Sequence, residues 1–425
     1  MFTSYLKKCK KYIFSLFVLV SGVIFLCPLY ARAEEENDVF NPVVPNNGYS
    51  AVLYNNQNGL PTSEANAIVQ ASDGFIWIGS YGGLVRYDGN NFERMDEEAG
   101  IKGVRSLFED SKKRLWIGSS DKGIVMMEQG TFRHWDKPER FANSTVMNVA
   151  EDDNGLIYIG TQKGIAIINK NMEMQAIDDE RVSENNISEL KKGSDGLIYG
   201  LAQDGDIFTL KDGKVIFYLN SEDCPISSIQ AILPDPENPG YIYAGTALND
   251  LYHGKPENNF EGYEECSITP LGYTQNLEYI DGKVWICCVN GVAMLNGFQS
   301  AEIPTEENEH ISALNNVPMN NSYGHAMCDY LGNYWFTSTR QGVMKIVPNQ
   351  FQNLSERYGM KGNVVNTVCM YEGDLLIGTD KNFLAANEYG VMSSYKVISE
   401  TAREGLEKYT QEEFEEPEDE ETIKY

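Results

Sequence analysis

Side chains able to do covalent chemistry are few and scattered in this chain. Its 425 residues include four histidines, His134, His253, His310 and His325. None has a second histidine or a carboxylate at the spacing a metal site requires. No Gly-x-Ser-x-Gly elbow is present to raise a serine nucleophile. Asp and Glu total 62, yet the sequence does not place two at the roughly 5–10 Å separation used in glycoside hydrolysis. No catalytic residue, metal ligand or cofactor is therefore expected. What recurs is a mixture of amides, charges and one aromatic on loops. Asn66, Arg105, Asn148, Asn186, Gln275, His325 and Asn366 stand where the chain enters a strand. Tyr81, Asp121, Lys163, Asp204 and Arg340 stand on loops joining the next two strands. The mixture suits a polyhydroxylated ligand held by a rigid strand framework. Asn66, Tyr81, Arg105, Asp121, Lys163, Asp204, His325 and Arg340 are the candidate ligand-binding residues. The bland alternative is a solvated loop, and asparagine at such positions also caps strand backbone.

The elements that position these loops come from a repeat. Asp73-Gly74-Phe75-Ile76-Trp77-Ile78-Gly79-Ser80-Tyr81-Gly82-Gly83-Leu84 is its clearest copy. The aromatic or large apolar residue recurs at Trp77, Trp116, Tyr158, Tyr199, Tyr243, Trp285, Trp335 and Leu376. A period of about 40–45 residues with several strands per unit marks a propeller array. Each unit reads as four short strands. Ala67–Ala71, Phe75–Gly79, Leu84–Tyr87 and Asn91–Met95 are rich in β-branched and aromatic residues. Asp-Gly pairs between them supply the positive φ of tight hairpins. One four-stranded antiparallel blade cannot bury both faces, so blades must stack around an axis. The recurring Trp or Tyr is read as filler between neighbouring blades. The expected fold is an all-β propeller, either seven blades with an orphan blade or eight blades. Tyr49–Tyr54 looks like a fourth strand with no blade before it, so it should complete the last blade of the ring. A seven-bladed ring would then close near Phe351–Leu354.

The ends carry separate signals. Lys7, Lys8, Lys10 and Lys11 precede an apolar run from Tyr12 to Tyr30, and Ala31-Arg32-Ala33 follows. Residues 1–33 read as a secretory signal cleaved after Ala33, with an uncleaved anchor as the alternative. Residues 34–48 read as a tether. Either way the remainder, 49–395 as propeller and 396–425 as an acidic linker or the start of a further blade, lies outside the cytoplasmic membrane. It is expected to be secreted or to face outward on that membrane, touching it only through the N-terminal segment. The cysteines after Ala33 are Cys224, Cys266, Cys287, Cys288, Cys328 and Cys369, read as mostly buried free thiols, with a Cys224–Cys266 disulfide as an alternative. A formal charge of −28 argues against nucleic acid, whose phosphates demand Lys and Arg. Gly405-Leu406 repeats the Gly-Leu that precedes first strands, so the chain reads as a fragment of a longer protein.

Gly59-Leu60-Pro61, an apolar strand, and Asp73-Gly74-x-x-Trp77-Ile78-Gly79 through Phe92 together resemble the two-component regulator propeller repeat. The resemblance extends over about residues 49–395. It implies an extracytoplasmic sensor whose propeller binds a small molecule or oligosaccharide. It also implies a β-sandwich, a transmembrane helix and a cytoplasmic signalling module beyond the residues present here. Two other readings stand beside it: a propeller docking an extracellular protein or cell-wall polymer, and a hydrolase or lyase. The Asp73-Gly74-x-x-Trp77 turn is similar to the Asp-box of sialidase propellers. A sialidase needs three arginines, and of the face loops only Arg105 and Arg340 supply one.

Overall fold

In each repeat a short apolar run meets a turn that only a compact or positive-φ residue can make. Gly74 takes φ 89° between the first two strands of blade 1, and Gly83 takes φ 123° at the start of the third. Blade 1 is thereby folded into Ala67–Gln70, Ile76–Ser80, Gly83–Tyr87 and Phe92–Arg94, each antiparallel to the next. The computed structural model describes residues 49–95, 100–296, 311–314, 317–348, 364–371, 374–380, 383–386, 392–398 and 421–424. The expected signal segment, the tether, Phe351–Leu354 and Gly405-Leu406 lie outside the described residues.

Six blades are built from consecutive strands, and the seventh is shared between distant parts of the chain. The first strands of blades 2 to 7 are Val104–Glu109, Val146–Glu151, Ile187–Lys192, Ile229–Pro234, Thr274–Ile280 and Tyr323–Cys328. Blade 7 adds Tyr334–Ser338 and Gly342–Pro348. Its outermost strand is Tyr49–Tyr54, antiparallel to Gly342–Pro348 in the register Tyr49↔Pro348 to Tyr54↔Val343. The first strand of each blade abuts that of the next, and blade 1 abuts blade 7. The ring thus closes at seven blades, its first and last strands paired in one sheet, which excludes the eight-bladed alternative. Ala65 N–H donates to Ser338 O at 2.9 Å across the closure.

The core lies between blades. Trp77 packs with Ile101, Val104, Leu115 and Ile117 of the following repeat, and Trp116 with Val146, Val149 and Ile157. Trp335 packs with Leu60, Ile68 and Ile76 of blade 1 and stacks on Tyr54 with ring centroids 6.1 Å apart. Glycine in the second strand lets the next blade approach. A Cβ on Gly118 would lie 2.1 Å from Ser106 Oγ and 2.7 Å from Val146 Cγ1.

The eighth repeat forms a separate sheet of Val365–Tyr371, Asp374–Thr379, Phe383–Ala386, Met392–Ile398 and Glu421–Lys424, the last pair parallel. Met392–Ile398 runs through the expected boundary at 395. The first strand of this sheet exposes Val365, Val368 and Met370, and Val364 just before it is exposed too, where the ring's first strands alternate with buried positions. Cys369 is exposed for the same reason: in the ring, residues of this strand are covered by a neighbouring blade. The six thiols are free, with no Cys224–Cys266 bond; Cys266, Cys287 and Cys288 are buried.

Candidate ligand-binding site

The first strands converge on the ring axis, and six of them are irregular at the same place. Pairing with the second strand slips between Val104 and Ser106, Val146 and Asn148, Ile187 and Glu189, Ile229 and Ala231, Thr274 and Asn276, and Tyr323 and Ala326. A β-bulge leaves one residue unpaired and re-aims the side chains beside it. The residues so released are Arg105, Met147, Ser188, Gln230, Gln275 and the Gly324-His325 pair. All of these except Gly324, together with Asn66, Asn148, Glu189, Asn276 and Thr339, line one cavity of about 210 Å³. Every blade of the ring contributes to it.

The upper wall carries polar atoms with no protein partner. Asn66 donates from Nδ2 to Val104 O at 2.9 Å, which fixes its amide and leaves Oδ1 without a donor. Gln275 donates from Nε2 to Ser322 Oγ at 3.4 Å, and its Oε1 has no donor. Arg105 Nε has no acceptor; its guanidinium lies 4.9 Å from the Tyr81 ring centroid. Buried polar groups without partners are rare in folded proteins, and three belong to this one cavity.

Behind them runs a charged network that crosses the axis. Lys191 Nζ donates to Asn276 Oδ1 at 2.8 Å and also to Leu277 O, tying blade 4 to blade 6 past blade 5. Glu189 Oε2 accepts from Ile232 N–H of blade 5 at 2.7 Å, and its Oε1 lies 3.9 Å from Lys191 Nζ. Asn276 Nδ2 donates to Glu278 Oε1 at 2.8 Å and lies 2.8 Å from His325 Nδ1. Burial pushes the Glu189 carboxyl above the usual carboxylate range, only partly opposed by the Lys191 charge and the Ile232 N–H. Burial acts in the same direction on Glu278, but the Lys191 charge and the polar side chains around it outweigh that, so Glu278 titrates below its usual value. The Lys191 ammonium is thus engaged by Asn276, Leu277 and Glu189, and the polar atoms left open to the cavity offer hydrogen bonding. Among the described residues no cluster of His, Cys, Asp and Glu is arranged to hold a metal.

Of the eight candidate residues, the structure brings Asn66, Arg105 and His325 together in the cavity, with Tyr81 against Arg105. Asp121, Lys163, Asp204 and Arg340 are exposed on the second-to-third loops and do not line it. The Asp121 carboxylate accepts from Ser119 Oγ at 2.7 Å within its own turn. Arg105, Asn148, Gln275 and His325 were assigned to loops entering the strands, and they lie inside the first strands, at the bulges. Sequence reasoning missed Met147, Ser188, Glu189, Gln230, Asn276 and Thr339. A signal for most of these exists. Val104-x-x-Leu107, Ile187-x-x-Leu190, Ile229-x-x-Ile232 and Thr274-x-x-Leu277 each place two residues between inward-facing ones, where strict alternation allows one.

Residues 59–82 and 101–121, which carry the two inner strands of blade 1 and of blade 2, match the model of the two component regulator propeller. These two segments are similar to two-component regulator propeller repeats. The fold is that of solved extracellular domains from B. thetaiotaomicron. The putative hybrid two component system BT3049 is 19% identical with a TM-score of 0.58, over 81% of this chain and 48% of that one. The putative one component system BT4673 is 17% identical with a TM-score of 0.54, over 83% and 48%. This chain therefore spans about half the length of those domains. A catalytically inactive virginiamycin B lyase from Staphylococcus aureus, solved with quinupristin, is 15% identical with a TM-score of 0.55, over 70% of this chain and 99% of the lyase. No curated protein matches by sequence. The ring thus shares the fold of these extracellular domains. Among the described residues no helix is long and apolar enough to cross a membrane.

Proposed function

We propose that the ring is the ligand-binding part of an extracytoplasmic sensor, and that the axial cavity takes one end of a neutral, hydroxyl-rich ligand such as an oligosaccharide. The observation that carries this is the cavity itself: every blade lines it, and Asn66 Oδ1, Gln275 Oε1 and Arg105 Nε lack protein partners there. A hydroxyl both donates and accepts, so one kind of group satisfies all three. An anionic ligand group would meet the Arg105 guanidinium but would also face the two amide oxygens and Glu189, with Lys191 already engaged. Tyr81, 42% exposed, adds an aromatic face at the rim. Outside the cavity, Asp121, Lys163, Asp204 and Arg340 are candidates for contacts along a longer chain. Signalling would pass to a sandwich, a membrane helix and a cytoplasmic module in the remainder of the protein, with localisation outside the cytoplasmic membrane.

The test is a glycan array probed with the secreted chain, followed by calorimetric titration of hits with Arg105→Ala and Asn66→Ala. Loss of about 1–3 kcal/mol of binding energy in each variant is expected. Unchanged affinity in both would remove the cavity from the ligand site. A second reading, docking of a protein partner, is favoured by Tyr330 and Leu331, 74% and 68% exposed on the opposite face beside blade 1. Retained glycan binding in Tyr330→Ser/Leu331→Ser, with no other loss, would count against it.

A further inference from the structure

The cavity holds one side chain whose donor and acceptor atoms are set by its neighbours. Asn276 cannot rotate freely. Its Oδ1 faces two groups that only donate, Lys191 Nζ at 2.8 Å and Leu277 N–H at 2.8 Å. Its Nδ2 faces the Glu278 carboxylate at 2.8 Å, which when ionised only accepts. The amide nitrogen is therefore fixed on the side of His325 Nδ1, 2.8 Å away. Two N–H groups pointing at each other across that distance repel, so the Asn276 amide favours Nδ1 as the acceptor, against the pull of Glu278 Oε1 3.2 Å from the same atom. The proton of the neutral ring then sits on Nε2. No partner for Nε2 is found among the described residues, and the His325 side chain is 34% exposed where it lines the cavity. The backbone of His325 is held as well, its N–H donating to Thr337 Oγ1 at 2.9 Å.

The geometry points to His325 as the residue that reads a ligand oxygen through its Nε2–H, with Asn276 as the positioning residue that fixes the tautomer. Which nitrogen of a histidine carries the proton decides whether it meets a ligand as donor or acceptor. Here the competing tautomer, with hydrogen on Nδ1 and a lone pair on Nε2, is the one Asn276 disfavours. Glu278 Oε1 lies 3.2 Å from the same Nδ1 and would favour that proton if Asn276 were absent, so the two neighbours oppose each other at one atom. The inference rests on reading the cavity as a ligand site. It adds that the buried end of the ligand presents an oxygen acceptor to blade 7, flanked by the acceptors Gln275 Oε1 of blade 6 and Asn66 Oδ1 of blade 1, with the donor Arg105 Nε one blade further on.

The test needs no ligand, so its outcome is separate from that of the glycan array. The full chain is labelled with ¹⁵N-histidine, and long-range ¹H–¹⁵N spectra are recorded at neutral pH. Four histidines keep the spectrum simple, and His325→Gln assigns the His325 signals by their loss. The expected result is an unprotonated, pyridine-type Nδ1 and a protonated Nε2. Asn276→Asp keeps an oxygen for Lys191 but puts an acceptor beside Nδ1, and should move the proton onto Nδ1, a shift that a merely structural role for Asn276 would not produce. A protonated Nδ1 in the unmodified chain, neutral or cationic, overturns the proposal. So does a folded Asn276→Asp chain whose His325 signals are unchanged. Should Asn276→Asp fail to fold, the spectrum of the unmodified chain decides alone.

Discussion

At the scale of single residues, the recurring aromatic does more than fill space. An aspartate six positions before it takes its polar hydrogen in three blades. Trp116 Nε1 donates to Asp110 Oδ2 at 2.8 Å, Tyr158 OH to Asp152 Oδ2 at 3.2 Å and Trp335 Nε1 to Asp329 Oδ2 at 2.8 Å. The same aspartates accept backbone N–H groups of their own turn. Blade 1 has Ala71 at that place, in the same turn geometry, with Ala71 N–H donating to Phe75 O and Gly74 N–H to Ala71 O. Trp77 Nε1 is correspondingly left without a partner. Ala71→Asp should supply it and stabilise the ring by about 1 kcal/mol, read as a raised midpoint in thermal unfolding; a lowered midpoint would refute the pairing. The reverse change, Asp110→Ala, strands the buried Arg114 guanidinium and should cost about 3–5 kcal/mol. Burial raises the Asp110 carboxyl, but donors from Arg114, Trp116 and the backbone outweigh it and hold it below its usual value. A carboxyl depressed in the fold stabilises above its unfolded value near 4 and loses that contribution as pH falls through its folded value. The stability gap between the unmodified chain and Asp110→Ala should therefore be full at neutral pH and shrink below about pH 4. In the sequence Trp77, Trp116 and Tyr158 are equivalent; the difference six residues upstream is what separates them, and an Asp-Gly turn at Asp73 masks it.

At the scale of the strand, two features set the inner wall of the ring. The glycine two positions after the aromatic admits the neighbouring blade, and the bulge in that blade's first strand turns side chains toward the axis. They meet at Gly118, whose position is closed by Ser106 Oγ and Val146 Cγ1. Gly118→Ala should destabilise the protein by about 1–3 kcal/mol through overpacking. Because Ser106 follows Arg105 directly, the same change should weaken glycan binding measured on the folded variant. Binding at full strength in a destabilised Gly118→Ala chain would show that the bulge of blade 2 does not depend on this contact. The four-strand blade was legible because turn chemistry and strand propensity agree in the clearer copies and the spacing carries the reading through the degraded ones, where Leu201, Cys287 and Thr337 replace the usual glycine. The cavity was legible only in part. Asn66, Arg105 and His325 were found because they sit at the start of a recognisable strand. Glu189 and Asn276 were not, because a bulge shifts the facing of a residue by one position and leaves propensity unchanged. Their role is visible only once Lys191 of blade 4 is seen to reach Asn276 of blade 6.

At the scale of the whole molecule, stability depends on the closure. Tyr49–Tyr54 is separated in sequence by nearly the whole ring from Gly342–Pro348, with which it pairs. It also brings Tyr54 against Trp335, Tyr87 and Phe92. Removing it would uncover the edge of Gly342–Pro348 and leave those aromatic faces to water. The eighth sheet stands differently, since blade 7 is complete without any residue beyond Pro348. Two truncations should consequently behave unlike each other. A chain lacking residues 49–54 should lose the cooperative thermal transition of the ring and associate through its open edge. A chain ending at Pro348 should keep both that transition and the axial cavity, since every residue lining the cavity precedes Pro348. Scanning calorimetry and sedimentation of the two, side by side, provide the check. If the chain ending at Pro348 also lost its transition, the eighth sheet would have to be part of the cooperative unit, and the exposed Val364, Val365, Val368 and Met370 would mark a contact the ring itself requires.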